Sequence, residues 1–523
     1  MFKNGIKKET QNNKSLEQWI WDAACAIRGA KDAGKFKDFI LPLIFVKRLC
    51  DVFDDEVNRI AKGGSRVDAL KKIDADHSRV RFYIPLKAKD PETQDTWSVI
   101  RSLSNNIGEN LTRIIREIAA HNSILDGVID SVDYNATTRG QREIDDDRLS
   151  NLIEAISQKR LGLNDVEPDI IGRSYEYLIR KFAEGSGQSA GEFYTPREVG
   201  IVMANIMDPE PGMEVYDPTC GSAGLLIKCE LALKEKQEKL GKKTFAPLRL
   251  YGQESMSTTW AMAKMNMVIH DMEGDIELGD TFNNPKFKDA TGHGIKKFDL
   301  AVANPMWNQP GFNEEIYTND AYHRFPAGNP GGKADWGWVQ HILSSLKDHG
   351  RAAVVLDTGA PSRGSGNANT NKEKDVRKWF VEHDLIEGII YLPENLFYNT
   401  TSPGIIIFLN KNKPAKLNNK IFLINASKEF VKGDPKNYLS DEQVKKIAAT
   451  YNAKKAVENF SMIVGKDEIV KNDYNISPSR YINLGGVEEY EPVGDILIAL
   501  AEVETKAKEA DKNLQKVLKE LGF

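Results

Sequence analysis

Seven short β-rich runs recur between residues 214 and 411, with helix-like segments between most of them. They are EVYDP (214–218), LRLYGQE (248–254), DIELGD (275–280), FDLAVANP (298–305), GRAAVVLD (350–357), LIEGIIYLP (385–393) and GIIIFLNK (404–411). Strands joined by crossover helices lie parallel, whereas strands joined by short links pair antiparallel. The alternation therefore predicts an α/β fold, a doubly wound and mostly parallel sheet, with ligands at the carboxyl ends of its strands. LIEGIIYLP and GIIIFLNK lack a full helix between them, which predicts an antiparallel end of the sheet.

The flanks read differently. SLEQWIWDAACAIRG, KDFILPLIFVKRLCDVFDDEV, NNIGENLTRIIREIAAH and DRLSNLIEAISQ carry apolar residues at helical spacing, with Ser15 a candidate cap and Pro42 a helix start or kink. Residues 1–165 are thus expected to form an all-helical domain and 166–480 the α/β domain. LNNKIFLINAS adds one strand after 412. Residues 481–523 form a helical tail. Within it Ile496, Leu500, Val503, Ala507, Ala510, Leu514, Val517 and Leu521 repeat in four-three spacing, the seam of a helix made for a partner.

Composition limits the function classes. At 523 residues the chain exceeds one compact domain. No apolar run has membrane-spanning length, and MFKNGIKKETQNNK has no signal-peptide core, so a cytoplasmic protein is expected. Four cysteines and eight histidines show no metal-ligand spacing, and no metal is expected. The net charge of −5 is poor for a lone DNA binder, because duplex affinity rests on neutralising phosphates. Either the partner is not nucleic acid or another subunit supplies the basic surface.

Four segments carry chemistry. In VYDPTCGSAGLLIK, a β run ends at Asp217 and a small-residue loop containing Gly221, Ser222 and Ala223 opens a helix. Such a loop lets a ligand approach the backbone and a helix N-terminus, and Asp217 suits a ligand ammonium. It matches neither the Walker loop nor G-x-G-x-x-G. Glu254, ending LYGQE, is placed to accept two ribose hydroxyls. Asp280, in ELGDTF, is placed to accept from an adenine amine. Acids on three consecutive strand ends suit an adenosine bearing a cationic amino acid.

The third segment is FDLAVANPMWNQPG. The Asn304 side-chain oxygen and the Pro305 carbonyl offer two acceptors for the hydrogens of an exocyclic amine, drawing its lone pair out of the ring. Trp307 offers a face for an extruded base. The fourth, SGQSAGEFYTPREVG, presents Glu192, Phe193, Tyr194, Thr195 and Pro196 as a lid over a cofactor's polar end.

Together these residues resemble the N6-adenine DNA methyltransferases of the γ arrangement, and more closely the modification (M) subunits of type I restriction-modification systems. DPTCGSAGLL is similar to the family's S-adenosyl-L-methionine loop, YGQE to its ribose-binding acid and ANPMW to its catalytic Asn-Pro-Pro-aromatic motif. DIIGRSYEYLIRKFAEGSGQSAGEFYTPREV, NPGGKADWGWVQHIL and RAAVVLDTGAPSRG are similar in position and character. The resemblance implies a Rossmann-like methyltransferase fold and methyl transfer to N6 of a flipped adenine in double-stranded DNA. It implies a specificity (S) subunit that reads sequence between two M subunits and takes the terminal seam, and a restriction (R) subunit in the full complex.

Two positions depart from the family pattern. Met306 stands where proline is usual, and Ala223 where many methyltransferases have glycine. The alternatives are a stand-alone methyltransferase with its own target domain, and a cofactor-binding assembly subunit without activity.

Overall fold

The computed structural model describes residues 16–26, 37–163, 195–367, 370–398, 400–434 and 436–483, with isolated positions at 165–166, 172, 174–178, 181–182 and between 503 and 514. The chain divides into two compact units, Met1–Ile482 and Asn483–Phe523.

The first unit is built on a nine-stranded sheet. In chain order its strands are β1 (Glu214–Asp217), β2 (Arg249–Glu254), β3 (Gly274–Leu278), β4 (Phe298–Ala303), β5 (Leu346–Asp357), β6 (Ile386–Tyr391), β7 (Gly404–Asn410), β8 (Lys420–Asn425) and β9 (Ser461–Gly465). They lie in the order β9-β8-β6-β7-β5-β4-β1-β2-β3. β1 to β5 run parallel, as the intervening helices require. β7 pairs antiparallel with both β5 and β6. The expected antiparallel pair therefore exists but does not end the sheet. β7 wedges between β5 and β6, and parallel β8 and antiparallel β9 extend the edge. β9 is SMIVG, too short and too mixed to stand out in the sequence.

Alternate strand residues face opposite layers. Leu300 and Val302 of β4 pack with α7 (Arg197–Met207), α8 (Gly224–Lys239) and a later helix, Asp441–Ala453. Ala301 and Ala303 face a second layer containing Asp335–Ser344 and Lys372–Glu382. Both faces are covered, which is why the strands read as continuous apolar runs.

Ahead of the sheet come α1 (Leu16–Cys25), α2 (Lys37–Ala61), α3 (Arg66–Ala75), α4 (Trp97–Arg101), α5 (Ile107–Ala120) and α6 (Asp146–Ser157). α2 runs through Pro42, so that proline does not start it, and the proposed cap Ser15 lies outside the described residues. These helices share a core with Tyr175, Leu178 and Phe182 and with Met262, Met265 and Ile269 of α9 (Ser257–Ile269). α9 turns Ala263 and Met267 toward the sheet instead. It is apolar on two sides because it is sandwiched between the helical region and the sheet. Among the described residues no helix is long and apolar enough to cross a membrane.

Candidate active site

The sheet has its topological switch between β1 and β4. From β1 the chain proceeds through β2 to β3 on one side, and from β4 to β5 on the other. A crevice opens at the carboxyl ends of strands at such a point. Here the cleft brings together Thr195, Asp217, Gly221, Ser222, Glu254, Asp280 and Asn304. Of the other predicted residues, Ala223 lies behind the loop and is fully buried, and Pro196 precedes the first residue of α7. Glu192, Phe193 and Tyr194 fall outside the described residues. Pro305 and Trp307 are not among the residues lining the cleft, whereas Met306 is.

The β1–α8 turn is shaped by backbone demands. Gly221 sits at φ +54°, with open space where a side chain would project. Ala223 also takes a left-handed backbone, φ +62°, to begin α8, a conformation that favours glycine by about 1 kcal/mol. The turn is tied to β2: Cys220 N donates to Gln253 O at 3.0 Å and Gly221 N to Glu254 Oε2 at 3.2 Å. Glu254 Oε1 accepts Met256 N at 2.9 Å. Asp280 accepts Phe282 N and Asn283 N on one oxygen and Asn283 Nδ2 on the other, so it caps the turn after β3 as well as lining the cleft.

Asp217 is only 1 % exposed. Burial pushes its carboxyl up to about 8; the Thr219 N–H, 3.0 Å away, opposes this and the Glu254 carboxylate adds to it. Among the described residues its carboxylate accepts from Thr219 alone, and a cationic ligand group would relieve it.

Asn304 follows the last residue of β4 and is 6 % exposed. Its Nδ2 donates to Thr195 Oγ1 at 3.0 Å, and its Oδ1 accepts Trp307 Nε1 at 3.0 Å. An indole N–H only donates, so the amide oxygen must face it. Trp307 corrects the expectation of an open stacking face. Its ring is 8 % exposed and packs edge-on against Phe397 at 4.6 Å, in the core beneath the sheet. Among the described residues, the aromatic rings that line the cleft are Phe182, Phe312 and Trp338.

The family model for N-6 DNA methylases matches residues 166–490, and that for the HsdM N-terminal domain matches 16–156. The chain belongs to the N-6 DNA methylase family. Within it the chain is a type I restriction-modification methylase subunit, an adenine-specific DNA methyltransferase. It is 33 % identical to the type I restriction enzyme MjaVII methylase subunit of Methanocaldococcus jannaschii, over 99 % of this chain and 85 % of that one. To the MpnII methylase subunit of Mycoplasma pneumoniae it is 27 % identical, over 98 % of each. A crystal structure of the type I methyltransferase subunit from Streptococcus thermophilus superposes with a TM-score of 0.75, at 27 % identity, covering 90 % of this chain and 99 % of that one.

Several residues of this methylase cleft escaped the sequence reading. Gln253, the residue before Glu254, is fully buried. It donates to Gly279 O and Asn284 O and accepts Lys286 N, which shapes the turn bearing Asp280. Arg324 donates to Thr281 O and Phe282 O at 2.8 and 2.7 Å, and Thr281 Oγ1 donates to Pro218 O at 2.7 Å. The turns after β1 and β3 are thereby joined. Asn266, a lone amide on the apolar face of α9, donates to Ser222 O at 2.9 Å; that isolation was its only signal. Lys37, the first residue of α2, also reaches the cleft wall, a contact no local pattern reveals.

Proposed function

We propose that the cleft binds S-adenosyl-L-methionine and that Asn304 and Pro305 present an extruded adenine to it. The observation that carries this reading is the convergence of Asp217, Gly221, Glu254, Asp280 and Asn304 on one cleft at the switch point. The donor set suits the cofactor: Asp217 would pair with its ammonium, Glu254 would accept its ribose hydroxyls, and Asp280 would take its adenine amine. Open space beside Gly221 leaves room for the amino-acid arm. The cofactor supplies an electrophilic methyl on a sulfonium.

The protein's part is placement and polarisation. The Asn304 oxygen and the Pro305 carbonyl accept the two N6 hydrogens, so the nitrogen lone pair turns toward the methyl. Asn304 does this with its amide already oriented by Thr195 and Trp307. Trp307 thus acts as the donor that aims the catalytic amide, and base stacking falls to rings that line the cleft. The division of labour we propose is a helical region, 1–165, that closes over DNA, a catalytic domain, 166–480, and an assembly helix, 481–523. Target choice falls to a specificity subunit flanked by two copies of this chain, with a restriction subunit completing the complex. Of the terminal seam, Val503, Ala507, Ala510 and Leu514 are helical and exposed, as a partner helix requires.

The test is a methyl-transfer assay with labelled cofactor, on the chain alone and with the specificity subunit, wild type against Asn304→Ala. Label on adenine N6 in the complex, lost in the variant, is expected. Label from the chain alone would favour a self-sufficient enzyme. Cofactor binding without label in either would mean an assembly subunit.

A further inference from the structure

The loop that leaves the catalytic motif is anchored by a buried charge cluster that none of the motif residues belongs to. Asn308 takes a left-handed backbone, φ +54°, immediately after Trp307. Its N–H, its carbonyl and its side-chain oxygen each have a partner from elsewhere in the fold. Its N–H donates to Asp335 Oδ1 at 3.1 Å, its carbonyl accepts Lys333 Nζ at 3.2 Å, and its Oδ1 accepts Arg363 Nη1 at 3.1 Å. The next residues are strapped down as well: Ala334 N donates to Gln309 O, and Gly311 N to Gly332 O, each at 3.0 Å.

Arg363 is the hub. Besides Asn308 it donates to Asp357 Oδ1 at 3.0 Å, to Glu373 at 2.7–3.0 Å, and to Asp335. Asp335 is fully buried and Glu373 is 6 % exposed. An arginine fork shared among carboxylates has little freedom to shift, and a buried network satisfied throughout is rigid. Met306 makes that rigidity useful. A methionine lacks the ring that would fix φ between Pro305 and Trp307, so the Asn304 amide, held by Thr195 and Trp307, also depends on how the chain is held after Trp307.

We propose that Asn308 and Arg363 are positioning residues for methyl transfer, clamping the loop after Trp307 so that Asn304 and Pro305 keep their acceptors in register with the target amine. The inference rests on the proposed role of Asn304. The clamp contributes to turnover and leaves cofactor binding alone, because neither residue lines the cleft.

The test uses the methylation complex with DNA and labelled S-adenosylmethionine. Asn308→Gly keeps the left-handed backbone and both main-chain bonds and removes only the link to Arg363. Arg363→Lys keeps a cation among the carboxylates but cannot also span to Asn308. Each is expected to lower kcat by about ten- to a hundred-fold, the scale of a small misplacement of reacting groups, with cofactor Kd and DNA KM unchanged; the thermal midpoint holds in Asn308→Gly and falls in Arg363→Lys, which also gives up guanidinium bonds to Asp335, Asp357 and Glu373. The double variant is expected to be no slower than the slower single one, since Asn308→Gly removes only a contact that Arg363→Lys already breaks. Wild-type turnover in Asn308→Gly, or multiplying losses in the double variant, would overturn the clamp. So would cofactor affinity falling in step with kcat. Asn304→Ala in the same series separates the two ideas. If it is inactive while Asn308→Gly turns over normally, the clamp alone fails. If it is fully active, the reading of the motif fails with it.

Discussion

The indole N–H of Trp307 donates to the side-chain oxygen of Asn304 at 3.0 Å, while its ring is buried against Phe397. A residue expected to stack on a base is thus turned inward, aiming the amide instead. Trp307→Phe keeps an aromatic ring beside Phe397 and removes the donor. We expect kcat to fall by about ten-fold, in line with losing one hydrogen bond to a polarised group, with cofactor affinity unchanged. If Trp307 serves only as an aromatic face, the phenylalanine variant will turn over like wild type.

Asp217 makes cofactor binding dependent on pH. Its carboxyl is raised to about 8 in the free protein by burial, and pairing with an ammonium requires the ionised form. Affinity should therefore rise with pH, by up to about ten-fold per unit below 8, and level off above it. Calorimetry in buffers of different ionisation enthalpy should register a proton released on binding at neutral pH. In Asp217→Asn the slope should vanish along with much of the affinity. A flat profile in the wild type would mean that Asp217 does not meet the cation.

The same shift affects the free protein's stability. Because the folded carboxyl titrates above its unfolded value of about 3.9, its contribution is fully present below that value and is lost as pH rises through about 8. Thermal midpoints of wild type and Asp217→Asn should therefore diverge between about pH 4 and 8 in favour of the variant, and saturating cofactor should narrow the gap. Parallel midpoints across that range would contradict a buried, raised carboxyl.

Lys228 on α8 and Glu176 form an ion pair at 2.8 Å, with side chains 6 % and 4 % exposed. Lys228→Met should cost about 3–5 kcal/mol, because it strands a buried carboxylate, and denaturant titration will measure it. Adding Glu176→Leu should recover much of that loss. Equal losses in the single and double variants would show that the pair's charges are not the reason.

Deleting 496–523 should abolish assembly with the specificity subunit, read by size-exclusion chromatography, and leave cofactor binding intact. Val503 and Leu514, both on the expected seam, are 62 % and 55 % exposed. Loss of cofactor affinity in the truncation would assign the tail to the catalytic fold.

What is legible in the sequence is what local chemistry dictates. Apolar runs such as Leu300–Ala303 must be strands buried on both faces, and small residues at Gly221 and Ser222 must form a tight turn before a helix. Acids at strand ends stand out because a β run stops at them. Long-range register was not legible. Nothing in GIIIFLNK says that β7 inserts between β5 and β6, since pairing partners are chosen by the packing of whole layers. The orientation of Trp307 depends on Phe397, ninety residues away by number, and Asn308 is bonded to Asp335, at the start of a helix, and to Arg363, in a turn after β5. The order of elements and the chemical character of the cleft are therefore properties of the sequence by itself, because spacing and residue type act over a few residues. Which way each side chain points in that cleft, and what holds it there, was decided by tertiary structure, where burial and hydrogen bonding bring distant residues into contact.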